Sequence, residues 1–137
     1  IEPQQAREFG LKVRCSPGGE EQTVITFVPE KQLLSIDVAK STLDKGIVHQ
    51  TFCMYRGDNP AVTAQEAPFT LRPGEPLRLR VFLDRSILEV FANGRQCVTQ
   101  RIYPTREDSL GVALFSRGAS AKVVSLDAWK MAPANPW

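Results

Sequence analysis

The chain has 137 residues, and its 17 Lys and Arg against 15 Asp and Glu leave a formal net charge of +2. A hydrophobic fraction of 42% beside 23% charged residues supplies enough apolar surface for one sizeable core, which excludes intrinsic disorder as the main state. No apolar run nears the roughly 20 residues that cross a bilayer, and so small a charge excludes nucleic acid or an anionic membrane as an obligatory partner.

Along the chain, apolar residues recur with a period of two, the mark of half-buried strands. Phe9, Leu11, Val13 and Cys15 alternate with Glu8, Gly10, Lys12 and Arg14. The Pro17-Gly18-Gly19 turn leads to a β-branched run at 23–28, and residues 33–38 put Leu34, Ile36 and Val38 on one face. Residues 39–50 are polar and read as a loop; 51–55 read as a short fourth strand. Arg72-Pro73-Gly74-Glu75 is a type II turn signal, since proline presets one central φ and glycine accepts a positive second one. Leu77, Leu79, Val81 and Leu83 then face one way, Arg78 and Arg80 the other. Asp84-Arg85-Ser86 reverses the chain into 87–92, and Asn93-Gly94 signals a type I′ hairpin returning through 95–103. Runs at 111–116 and 122–131 complete about nine strands. The pattern predicts an all-β fold, a two-sheet antiparallel β-sandwich of the jelly-roll or concanavalin-like kind with little or no helix. One domain is expected over 1–132, with a proline-containing tail at 133–137.

Asp84 and Glu89 are the nearest approach to a glycosidase-like carboxylate pair, although a turn aspartate more often accepts backbone N–H groups. His49 has no Ser or Cys at an informative spacing, so a hydrolase triad gains no support. Cys15, Cys53 and Cys97, without a C-x-x-C pair, do not make a structural metal site and read as buried free thiols. Arg78, Arg80, Arg95 and Arg101 read as a solvated face with cross-strand partners such as Glu89. Phe82, Ile87 and Phe91 are on the wrong side: a strand apolar on both faces should be covered on both, by the second sheet and by a loop or partner. Trp129 is expected in the core of the last strand, with Trp137 in the tail. Either ring, like Tyr55 and Tyr103, is also of the type that stacks on sugars.

The run Leu77-Arg-Leu-Arg-Val-Phe-Leu-Asp-Arg-Ser-Ile-Leu-Glu-Val-Phe-Ala-Asn-Gly94, with Arg101-Ile-Tyr-Pro104 and Ser109-Leu-Gly-Val-Ala-Leu-Phe115, resembles the C-terminal module of glycoside hydrolase family 32. Glu8–Val13 and Ser125–Trp129 carry the likeness to both ends. That family contains invertases, levanases, inulinases and fructosyltransferases. The resemblance implies a β-sandwich that follows a five-bladed β-propeller, with the catalytic carboxylates on the propeller. The propeller motifs W-M-N-D-P-N-G, R-D-P and E-C do not occur here, so no residue inherits a catalytic, metal or cofactor role. Asp84, Arg85, Ser86, Glu89, Phe91, Asn93 and Gly94 are expected to serve the fold. Phe82, Ile87, Phe91 and Trp129 are the candidates for an interdomain or sugar contact. The partner implied is the propeller, with a fructan or a second copy as the competing readings, and Ile1-Glu2-Pro3 is expected to end a strand begun upstream.

Overall fold

The computed structural model describes residues 1–49 and 63–132. Among them are eight strands and no helix: β1 Glu8–Cys15, β2 Gln22–Val28, β3 Leu33–Lys40, β4 Ala64–Pro68, β5 Leu79–Asp84, β6 Ile87–Ala92, β7 Gln96–Arg101 and β8 Gly111–Arg117. They form a five-stranded sheet in the order β4-β3-β2-β1-β8 and a three-stranded sheet in the order β5-β6-β7. Every pairing is antiparallel. The all-β sandwich read from the alternation is therefore the fold.

The core fills the space between the sheets. From the large sheet come Phe9, Leu11 and Val13, Ile25 and Phe27, and Leu34, Ile36 and Val38; from the small one come Leu88, Val90, Ala92 and Val98. Phe9 meets Phe27 edge to face at 5.7 Å, and Phe27 meets Phe69 at the same distance. Each such fully buried side chain contributes on the order of 1.5–3 kcal/mol relative to exposure, so this layer sets which way every strand faces.

Turn chemistry matches the sequence. Gly74 sits at φ 74° with Glu75 N–H bonded to the Arg72 carbonyl, and Asn93 and Gly94 sit at φ 49° and 66°, as the type II and type I′ turns require. Gln96 Nε2 donates to the Pro68 carbonyl at 2.8 Å, lacing β7 to β4 across the sandwich.

Two expectations fail. β4 was not anticipated: Ala64–Pro68 lacks β-branched residues, and it is strand because it pairs with the free side of β3, Ile36 opposite Gln65. Residues 123–131 form no strand among the described residues; only Lys122 makes a bridge, to Glu2. The segment is apolar enough for a sheet but has no ladder to join. The strand expected at 51–55, Cys53 and Tyr55 lie outside the described residues, as do Trp137 and the rest of 133–137.

Candidate functional site

β6 alternates strictly: Leu88 and Val90 enter the core, so Ile87, Glu89 and Phe91 stand on the outer face of the small sheet. Register puts Phe82 opposite Glu89 and Arg80 opposite Phe91. Phe82 and Phe91 meet edge to face with centroids 5.9 Å apart. Both are half-buried against each other and Ile87 is 39% exposed. The three wrong-side residues thus form an apolar patch on an open face, bordered by Arg80, Asp84, Glu89, Thr99 and Arg101. They are not between the module's own sheets.

Asp84 and Glu89 share this face, and neither lines the hollows described below. Among the described residues the Asp84 carboxylate receives no turn hydrogen bond; Arg85, at φ 50°, makes the reversal instead. Nor does any ion pair join Glu89 to the arginines, because Arg95 turns to Glu75 at 2.7 Å, and its guanidinium lies 5.3 Å from the Phe69 ring centroid. Asn93 fastens the hairpin: its Oδ1 accepts Arg78 N–H at 2.7 Å and its Nδ2 donates to the Pro76 carbonyl at 3.0 Å. Glu75 is held at a pKa of about 2 by the Arg72 amide and by Arg95 and Asn93.

Cys97 is exposed on the outer face rather than buried, and Cys15 is half-buried with burial raising its thiol pKa; both are free thiols. Trp129 is 82% exposed, because the strand that would carry it into the core is not formed.

The sequence gave no hint of Glu21. Its side chain is fully buried between β1 and β2. Its carboxylate accepts the Leu43 amide at 3.0 Å, the Thr105 amide at 2.8 Å, the Arg106 amide at 3.1 Å, the Ser109 hydroxyl at 2.6 Å and the Thr105 hydroxyl. Burial opposes the charged form, but these donors outweigh it and hold the carboxyl down at about 2. With every lone pair engaged, Glu21 is a latch for two loops and not a general acid. His49 does find a serine: Ser41 Oγ lies 3.2 Å from its Nε2, and burial lowers the imidazole pKa. Ser41 is itself buried, and among the described residues no carboxylate orients Nδ1, so the pair lacks the order of a nucleophilic site. No group of three or more His, Cys, Asp or Glu converges on a metal-sized site among the described residues.

What remains is a sandwich with an apolar outer patch and no gathered acid groups among the described residues. The family model for the C-terminal region of glycosyl hydrolases family 32 matches residues 1–130. The chain belongs to that family. A levanase of Bacillus subtilis (strain 168) is 36% identical to this family 32 C-terminal chain over 129 residues, covering 92% of this chain and 17% of the levanase. Beta-fructofuranosidase 1 of Zea mays is 44% identical over 133 residues, covering 90% and 18%. Among solved structures, an exo-inulinase from Aspergillus awamori superimposes with a TM-score of 0.68 at 26% identity, over 83% of this chain and 20% of that one. The family 32 chain therefore spans about a fifth of the length of the relatives it matches.

Proposed function

We propose that residues 1–132 are the non-catalytic C-terminal accessory module of an enzyme that hydrolyses β-fructofuranosidic bonds in sucrose or fructans. The module stabilises and positions a preceding catalytic domain. The observation that carries this reading is the Phe82–Ile87–Phe91 patch: three apolar side chains with a charged rim on a face that the module itself leaves open. Interdomain contacts of this kind bury roughly 600–1,500 Å², and a central aromatic pair is the usual anchor. Bond cleavage needs carboxylates gathered in a pocket, and Asp84 and Glu89 lie on an open sheet. The test is the parent enzyme carrying Phe82→Ala with Phe91→Ala. Docking predicts a lower melting temperature for the catalytic domain and lost turnover; an unchanged enzyme overturns it.

Carbohydrate binding is the second reading. It is favoured by a groove of about 450 Å³ between the leading residues and the 70–76 loop, lined by Glu2, Gln4, Gln32, Thr70, Arg72 and Glu75. Its hydrogen-bonding groups suit hydroxyls, but it offers no exposed ring. Calorimetric titration with inulin and levan decides this reading, and sedimentation decides the homodimer that a sandwich edge also permits.

A further inference from the structure

The small sheet has three strands facing five, and the shortfall lies beside β5. The inward side chains there, Leu79, Val81 and Leu83, are only partly buried. Across the sandwich, β8 faces nothing. Leu114 pairs with core residue Leu11 and so shares its inward side, as does Val112, yet they are 38% and 56% exposed. A hollow of about 160 Å³ opens here, lined by Ile1, Leu114, Ala121 and Val123.

The first two residues show what belongs in this place. The Ile1 nitrogen donates to the Leu77 carbonyl at 2.6 Å and Leu77 N–H donates back to the Ile1 carbonyl at 2.8 Å, one antiparallel rung. Glu2 makes the equivalent rung on its other side, to Lys122, at 2.8 and 2.9 Å. Ile1-Glu2 is therefore a fragment of a central strand with a ladder on each edge. Alternation along an antiparallel pair fixes the rest. Because the Leu77 polar groups face Ile1, those of Leu79, Val81 and Leu83 face the same side, away from β6. Those of Val124, Leu126 and Ala128 face the same way as those of Lys122.

We infer that the segment running into Ile1 in the parent protein is a strand inserted between β5 and residues 122–131. It sets the third residue before Ile1 opposite Arg80 and the residue before Ile1 opposite Val124. The inserted strand gives 122–131 the ladder it lacks, which turns that run into the small sheet's fifth strand. The enlarged sheet then covers Val112 and Leu114. The connection to the preceding domain is on this inference part of the sandwich rather than a free tether. The inference rests on the reading of the chain as the end of a longer protein, but not on which face docks.

The experiment uses the parent-length protein. Residue-resolved hydrogen exchange is expected to show the Leu79, Val81 and Leu83 amides protected to within about tenfold of Arg80 and Phe82, which are already bonded to β6. Exchange of those three at free-amide rates overturns the inference. Separately, Arg80→Cys is combined with Cys at the third residue before Ile1, in a Cys97→Ser background. Directly opposed cysteines in a strand pair are within disulfide reach, so an intramolecular bond is expected on mild oxidation. No bond, or one only between chains, overturns it. Loss of the Phe82–Phe91 docking surface leaves both readouts in place, so the two proposals fail separately.

Discussion

The Ser109 hydroxyl donates a 2.6 Å hydrogen bond to the Glu21 carboxylate across 88 positions of sequence. Together with the Thr105 and Arg106 donors and the Leu43 amide, it ties the loop before β8 and the loop after β3 to the turn between β1 and β2.

This latch makes the fold acid-sensitive. The folded Glu21 carboxyl titrates at about 2 against an ordinary 4.5. A depressed pKa gives stability that is fully present above the unfolded value and is lost as pH falls through the folded one. Denaturant unfolding from pH 7 to pH 2 should show a loss concentrated between about 4.5 and 2. Glu21→Gln should cost about 3 kcal/mol at pH 7, since it weakens several charge-assisted bonds at once, and should flatten this pH window. A variant as stable as the parent sequence at neutral pH contradicts the latch.

Gly10 marks the closest approach in the large sheet. A Cβ there would lie 2.0 Å from the Ile25 carbonyl oxygen, a backbone atom with no room to retreat. Gly10→Ala is expected to destabilise by more than about 3 kcal/mol, read as a fall in melting temperature. Gly19→Ala, with nothing within 4 Å of its Cβ, meets only the strain of its positive φ and should cost about 1 kcal/mol.

Asn93→Ala removes both side-chain bonds that hold the β6–β7 hairpin to 76–78 and a residue suited to the left-handed backbone. A loss of about 2 kcal/mol is expected. Asn93→Asp keeps the acceptor but loses the donor to Pro76, and should fall between the two in an unfolding titration.

Cys97 reports on docking. It lies across the β6–β7 ladder from Phe91 on the open face. Its thiol should react readily with a maleimide in the 137-residue chain and at least about tenfold more slowly in the intact parent protein, where an interface excludes the reagent. Equal rates would place the interface elsewhere.

The strands that carry the core were readable because their neighbours enforce alternation. Phe9, Leu11 and Val13, or Leu88 and Val90, are apolar at every second position, and their turns hold residues whose backbone demands are local. β4 was not readable, since Ala64–Pro68 owes its conformation to β3 and not to its own side chains. The run at 122–131 failed for the converse reason: its composition suits a strand, but a ladder needs a neighbour. Phe82, Ile87 and Phe91 were placed on the outer side correctly by alternation alone. Glu21 was invisible because most of its donors come from positions 84 to 88 residues away, and nothing local distinguishes it from Glu20.

The pairing of β1 with β8 sets an order of events during synthesis. Glu8 and Arg117, ion-paired at 2.6 Å, are separated by 109 positions, so a large loop must close before that ladder exists. While the ribosome is still producing the intervening strands, the edge of β1 stands bare with Phe9, Leu11 and Val13 beside it. A growing chain in this state is open to pairing with a stranger. Holdase chaperones should therefore meet this module through its first strand and let go when the eighth arrives.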